Sequence, residues 1–148
     1  MCIRDRFKRP YHLLTSALRS GKANVTDFLF PVYVLVEIGM VPWNWSFPDG
    51  YPDRFEYWVG GQVHRANIGL RLAGNFLPGV SIDVAGSFGA DRTPNGCFDA
   101  LNKAFFGGEA SKDDAAALLK YLKNGTITDS RLQGAVAIAM ASPSFQWY

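Results

Sequence analysis

Three carboxylates lie close together in the sequence, beside large aromatic side chains. Asp49, Asp53 and Glu56 fall within eight positions of one another, next to Trp45 and Tyr51. Paired carboxyl groups among aromatic rings are typical of a glycosidase cleft, where one acid protonates the leaving group and the other acts as base or nucleophile. The same acids also suit a turn, a helix N-cap and the first turn of a helix, where the helix dipole favours negative charge. Since local structure accounts for all three acids, the structural interpretation is favoured.

The loop from Val41 to Pro52 is the second feature that could bind a ligand. Its large aromatic side chains are Trp43, Trp45, Phe47 and Tyr51. They could stack on sugar rings, or they could form a hydrophobic plug that folds the loop onto the helices. Large aromatic residues and prolines in a long loop are usually packed, so the plug is favoured and Trp43 is expected to be buried. For a polysaccharide ligand the candidate binding residues are Trp43, Trp45, Asp49, Tyr51, Asp53, Trp58 and Arg65, and no catalytic residue is assigned.

Other site chemistries lack the residues they need. The segment from Asp91 to Asn102 begins like a calcium loop, but Asn102 stands where such a loop requires a bidentate Glu, so a turn followed by a helix N-cap is favoured. His12 and His64 have no partner at the spacing of zinc ligands. The chain also contains no Gly-x-Ser-x-Gly elbow and no phosphate-binding loop. The sequence therefore predicts neither a metal ion nor a cofactor.

Composition sets the broad class of the protein. The 148 residues are 48% hydrophobic and carry 15 Lys plus Arg against 13 Asp plus Glu, a net charge of +2. This length and composition fit one globular domain and exclude a disordered tail or a disulfide-dense miniprotein. The small net charge gives no case for nucleic acid as a partner. The longest apolar stretch, 28–42, is shorter than the roughly 20 residues of a membrane-spanning helix.

Hydrophobic periodicity predicts a chain made of helices. The predicted helices cover residues 7–21, 28–40, 53–77, 96–106, 111–123 and 129–141. The segment 28–40 contains strand-favouring valines, but its length and its stop at Gly39 favour a helix that is apolar on every side. Residues 78–95 are predicted to be irregular. The expected fold class is all-α: an irregular multi-helix bundle with long loops rich in Pro, Gly and aromatic residues.

Two motifs of this chain resemble one protein family. Residues 47–58 read FPDGYPDRFEYW and are followed by Arg65, and residues 141–146 read ASPSFQ. This combination resembles the C-terminal part of a large family of bacterial proteins of unknown function, the one numbered eighteen hundred. The resemblance implies an all-helical fold, a missing N-terminal portion and export to the periplasm or beyond. It also implies a sulfatase-like partner protein, because genes for such proteins often lie beside those of the family.

The chain is divided into two parts, the first on the character of its own residues and the second on the family resemblance. Residues 1–6 are interpreted as a non-native leader, and residues 7–148 as the C-terminal helical portion of a larger protein. The remainder of that protein, its N-terminal helices, would then be the first partner of this portion. Two functions stay open: a structural or interaction module of an exported bacterial protein, or part of an enzyme or binding protein acting on extracellular polysaccharide.

The apolar segment 28–40 leads to two packing expectations. Glu37 is its one charged residue, and a buried carboxylate needs a partner, so an ion pair with Arg65 within about 4 Å is expected. A helix that is apolar on every side also needs cover on every side, as does the nearly apolar stretch 132–140. The chain alone is therefore expected to leave apolar surface open and to form oligomers or aggregates.

Overall fold

The structure, a computed structural model, describes residues 6–41 and 43–147. Most of these residues are helical, which confirms the expected fold class. The elements are α1 (Pro10–Ser20), β1 (Asn24–Val25), α2 (Leu29–Glu37), α3 (Phe55–Trp58), a 3₁₀ turn (Val59–Gly61), α4 (Gln62–Ala73), β2 (Val80–Ser81), α5 (Val84–Phe88), α6 (Pro94–Phe106), α7 (Lys112–Lys123), α8 (Asp129–Ala141) and α9 (Pro143–Gln146). Of the interpreted leader, residues 1–5 lie outside the described part of the chain.

Side-chain caps set the start of the three long helices in the second half of the chain, α6, α7 and α8. The hydroxyl of Thr93 accepts a hydrogen bond from Gly96 N, that of Ser111 from Asp114 N, and that of Thr128 from Arg131 N. Each bond satisfies a backbone donor that the first helical turn leaves free. The helices predicted over 111–123 and 129–141 are confirmed, while α6 begins two residues earlier than predicted because Pro94 follows the Thr93 cap.

The calcium-like segment is a turn followed by a helix N-cap, as the sequence favoured. Asp91 Oδ1 accepts from Thr93 N at 2.9 Å, and Thr93 in turn caps α6. Within residues 6–41 and 43–147, no group of three His, Cys, Asp or Glu side chains is arranged so that it could hold a metal ion.

Helix α8 forms the centre of the bundle. Helices α4, α5, α6 and α7 all pack against it. Its buried residues are Leu132, Ala135, Val136, Ala137, Ala139 and Met140. The small side chains among them allow close approach from several directions, so this nearly apolar helix is covered by its neighbours. None of the helices in the described ranges is long and apolar enough to cross a membrane.

The single helix predicted over residues 53–77 is wrong. The chain forms α3, turns through a 3₁₀ segment that contains Gly60 and Gly61, and then continues as α4. A 3₁₀ turn advances about 120° per residue rather than 100°, so it changes which side chains face the core. Leu70 is exposed, and the core side of α4 is formed by Arg65, Ile68, Gly69, Leu72 and Ala73.

The ends of α4 and α1 also differ from prediction. Helix α4 stops before Asn75, which has a positive φ of 56° and whose side chain exchanges two hydrogen bonds with the backbone of Ile82. Those bonds help order residues 78–95. This segment contains β2, which pairs antiparallel with β1, and the short helix α5, so it is not wholly irregular as predicted. Helix α1 begins at Pro10 because Lys8 N is already bonded to Gln146 O, 2.8 Å away, at the other end of the chain.

Helix α2 is covered on one side only. Pro31, Val34 and Leu35 are buried, but the opposite side of the helix is open. The exposed apolar residues there are Phe28, Leu29, Val32, Tyr33 and Val36. Open apolar surface was expected from the sequence, and it lies on this helix. The expected oligomers stay a prediction.

A glycine determines how closely α4 crosses α8. A Cβ placed at Gly69 would lie 2.9 Å from the carbonyl oxygen of Ala137 and 3.1 Å from Met140 Cβ. The first neighbour is backbone of the central helix and cannot rotate away. At Gly60, by contrast, an added Cβ would meet no atom within 4 Å. Gly60 and Gly61 therefore lie at the break between α3 and α4, whereas the close helix crossing is at Gly69.

We expect Gly69→Ala to lower the free energy of unfolding by about 1 to 2 kcal/mol. The overlap with α8 costs more than the roughly 1 kcal/mol that Ala gains over Gly in a helix. Urea titration followed by circular dichroism measures the change. Gly60→Ala is the matched control and should leave stability equal or slightly higher. An equally stable Gly69→Ala would show that the two helices do not cross this closely.

Candidate functional site

Arg65 is buried at the junction of the two chain ends. Its side chain is almost wholly removed from solvent, with 2% of the residue's surface exposed. Nε donates to Gln146 Oε1 at 2.7 Å, and Nη2 donates to the carbonyl oxygen of Lys8. The guanidinium also lies over the ring of Phe7, 4.2 Å from its centroid. Every one of these partners is neutral.

The expected ion pair between Glu37 and Arg65 is wrong. Glu37 Oε2 pairs with Arg71 Nη1, and both side chains keep solvent contact. Helix α2 is less deeply packed than predicted, so Glu37 reaches a surface partner instead of the interior. Burial lowers the pKa of Arg65 to about 10, which still leaves the guanidinium charged at neutral pH.

The Arg65 contacts join the first described segment to the last. Phe7 and Trp147 form an isolated antiparallel bridge, and their rings meet edge-on at 5.4 Å. Phe55 at the start of α3 contacts both rings, at 5.1 and 5.2 Å between centroids. The two chain ends and α3 are thus held around one charged side chain. We call Arg65, Gln146 and the Lys8 carbonyl the arginine clamp.

The closing motif has a structural role at each of its polar positions. Gln146 is 3% exposed, and its Nε2 donates to Met140 O at 2.9 Å while its Oε1 holds Arg65. Ser142 Oγ donates to Ala139 O, which ends α8. Ser144 accepts from Ser111 N through its hydroxyl, and its own N–H donates to the Asp114 carboxylate. The start of α9 and the start of α7 therefore satisfy each other's free donors.

Three of the predicted binding residues form one cluster of rings. Trp45 lies 4.7 Å from Tyr51, and Tyr51 lies 5.9 Å from Trp58, measured between centroids. The Tyr51 hydroxyl donates to Val41 O at 2.8 Å, and Trp58 Nε1 donates to Pro52 O at 2.8 Å. These bonds fold the loop back on itself and onto α3. For this inner part of the loop, packing is the main role, as the plug interpretation expected.

The plug interpretation is wrong for Trp43. Its side chain is fully exposed, and its φ of 67° lies in the left-handed region that a bulky residue rarely occupies. Phe47, although it contacts the Trp45 ring, is also largely exposed. The loop thus covers Trp45 and Tyr51 only in part and presents two aromatic side chains, Trp43 and Phe47, to solvent. The adjacent Pro42 lies outside the described residues.

The three acids line one open groove but do not all serve the predicted local roles. Asp49, Asp53 and Glu56 face a groove of about 810 Å³ together with Arg54 and Tyr57. Asp49 sits in the turn that the Gly50 N to Phe47 O bond closes, and Glu56 lies in the first turn of α3, both as expected. Asp53 does not cap α3, which begins after Arg54 without a side-chain cap. Its carboxylate instead lies 3.7 Å from Arg9 Nε.

A second, smaller pocket contains Arg65. It has a volume of about 230 Å³ and lies where the end of α2 meets the 3₁₀ turn. Its lining residues are Ile38, Gly39, Tyr57, Trp58, Gly61 and Arg65. Tyr57 borders both this pocket and the acidic groove, which places the two sites side by side. Sequence reasoning assigned no role to Tyr57 or Gln146, although both stand within the motifs that carried the family resemblance.

Comparison with known proteins gives one match. The model of the family described as "Protein of unknown function (DUF1800)" matches residues 3–147, nearly the whole chain. The resemblance inferred from residues 47–58, Arg65 and the closing motif is confirmed. No curated protein and no solved structure is similar enough to the chain to count as a match.

We expect Gln146→Ala to lower the free energy of unfolding by about 3 kcal/mol or more. The change leaves a buried charged donor on Arg65 and the buried Met140 carbonyl without partners, and water cannot replace them. Chemical denaturation monitored by tryptophan fluorescence measures the loss. Gln62→Ala, at an exposed position in the first turn of α4, is the control and should change stability by less than about 0.5 kcal/mol. Equal effects of the two substitutions would contradict the clamp.

Proposed function

The chain belongs to the DUF1800 family, and we propose that it is the C-terminal helical interaction module of an exported bacterial protein. The observation that carries this proposal is the open side of α2. Export, a larger parent protein and a sulfatase-like partner are parts of the proposal that rest on the family resemblance.

The open side of α2 is a continuous apolar stripe. Leu29, Val32, Tyr33 and Val36 follow the spacing that places side chains on one side of a helix, and Phe28 extends the stripe at its start. Each of the five is exposed. We call these five residues the α2 face. A stripe of this kind, without a charged member, is typical of a surface that another protein element covers.

The chemistry of the α2 face favours a permanent occupant. Transient interfaces are about as polar as the rest of a protein surface, whereas permanent contacts resemble a domain core and exclude charge. The nearest charged residue on the helix, Glu37, is neutralised by Arg71 on α4 and lies at the edge of the face. We propose that the occupant is a further helix of the same larger protein. In its absence, two copies of the chain would cover the face for each other.

We expect Val36→Lys to shift the chain from oligomers or aggregates toward monomer. A lysine in the middle of the α2 face cannot be buried against an apolar partner, while at an exposed position it costs the fold little. Size-exclusion chromatography with light scattering measures the mass of each species.

Val63→Lys provides the matched control for this experiment. Val63 is exposed on α4 and is not part of the α2 face, so the same substitution there should leave the association unchanged. A wild-type chain that runs as a monodisperse monomer with a cooperative thermal transition would overturn the proposal.

Polysaccharide binding is the second candidate function, and the exposed Trp43 favours it. A tryptophan presented to solvent on a strained backbone contributes nothing to the core, and strained positions are concentrated at ligand-binding sites. The neighbouring groove carries three carboxylates and the partly exposed Tyr57, groups that can hydrogen-bond and stack on sugars. The role would be binding, or part of an enzyme whose other residues lie elsewhere in the larger protein.

We expect Trp43→Ala to leave the melting temperature nearly unchanged and, if the loop binds sugar, to abolish oligosaccharide binding. Trp58→Ala should behave differently, because it truncates a ring that is 5% exposed and removes the bond to Pro52, a loss of about 3 to 5 kcal/mol. Thermal melts with and without neutral oligosaccharides separate the two effects. Unaltered sugar binding by Trp43→Ala would remove Trp43 from the site.

A further inference from the structure

Arg65 carries a positive charge that no acid of the described chain neutralises. Among residues 6–41 and 43–147, no carboxylate lies within ion-pair distance of its guanidinium. Glu37, the partner expected from the sequence, pairs with Arg71 instead. Taking an ion out of water costs several kcal/mol, and neutral acceptors repay only part of that cost. An uncompensated buried cation is unusual in a domain interior and favours an anionic ligand.

One nitrogen of the guanidinium is available for such a ligand. Nε and Nη2 are committed to the arginine clamp, whereas Nη1 has no acceptor among the described residues. Arg65 also lines the 230 Å³ pocket at the end of α2. The clamp holds the guanidinium rigidly, so a ligand entering this pocket would meet a preorganised donor and pay little entropy to order it.

The remaining walls of the pocket indicate what else the ligand contains. Tyr57 and Trp58 present aromatic rings that meet at 4.7 Å between centroids, and Ile38 adds an aliphatic side chain. Gly39 and Gly61 add no side chains, and a Cβ at either would meet no atom within 4 Å, so the pocket is open at both. The volume is below the roughly 300 Å³ at which sites for drug-sized ligands begin. It therefore suits a small molecule or a single sugar ring.

We propose that this pocket is a carboxylate-binding site in which Arg65 pairs with the acid and the rings of Tyr57 and Trp58 contact the rest of the ligand. One arginine matches the single charge of a carboxylate, whereas a phosphate dianion generally requires more donors. Two sources share this chemistry: a free small organic acid, and an acidic sugar residue. The site goes beyond the proposed interaction module, since no residue of the α2 face lines it.

Isothermal titration calorimetry of the full 148-residue chain tests the site with four probes: acetate, glucuronate, glucose and inorganic phosphate. We expect both carboxylates to bind with millimolar affinity that weakens as salt is added, and glucose and phosphate not to bind. Equal affinity for acetate and glucuronate identifies a free acid as the ligand class. Tighter binding of glucuronate identifies an acidic sugar. The proposal is overturned if neither acetate nor glucuronate binds, or if glucose or phosphate binds at least as tightly as the carboxylates.

Two neighbouring glycines give a matched pair of variants. Gly61→Phe fills the pocket, and we expect it to weaken carboxylate binding at least tenfold. Gly60→Phe adds the same ring one position away, outside the pocket lining, and should bind like the wild type. Equal binding by the two variants overturns the proposal.

A third variant covers the case in which Gly61→Phe does not fold, which circular dichroism would reveal. Tyr57→Ala changes a half-exposed side chain, and it should weaken glucuronate more than acetate. Unchanged glucuronate binding by this variant would also overturn the site. The association measured for the α2 face is independent of all these results, so the two proposals can fail separately.

Discussion

The burial of the Arg65 guanidinium is the constraint on which much of this structure depends. A charged group in the interior needs hydrogen-bond partners, and here two of them come from opposite ends of the chain, the Lys8 carbonyl and the Gln146 side chain. Both ends are therefore held against α4. The rings of Phe7 and Trp147 then cover the junction and exclude water. The closing motif of the family thus supplies, through Gln146, a hydrogen-bond acceptor for Arg65.

The rest of the core follows from the position of α8. Its small residues and the missing side chain at Gly69 let α4 approach closely, and the other long helices arrange themselves around the pair. Helix α2 is left at the periphery, where one side of it packs and the other does not. The same bundle thus combines a tightly covered centre with an open apolar stripe, and this contrast is the main support for the proposed interaction module.

The predicted binding residues lie near one another in the structure, but their packing differs from the packing expected from the sequence. The aromatic loop, the three acids and Arg65 do lie in one region, on neighbouring walls of two adjoining pockets. Which of the two loop tryptophans is the more covered could not be deduced, because Trp43 and Trp45 are two positions apart and have the same chemistry. The difference depends on the three-dimensional path of the loop, which places the rings of Tyr51 and Tyr57 against Trp45.

The sequence by itself determined the helical class and helices α7 and α8, because the interactions that form them are local. Ser111 and Thr128 cap these helices, and apolar residues recur along them at helical spacing. Both interactions act within a few residues and do not depend on the rest of the chain. The tertiary structure alone decided the partner of Arg65, the pairing of Glu37 with Arg71 and the close crossing at Gly69. Each of these joins residues far apart in sequence. A short change of helical phase at Gly60 and Gly61 is enough to reorient every side chain that follows, so periodicity cannot identify such partners.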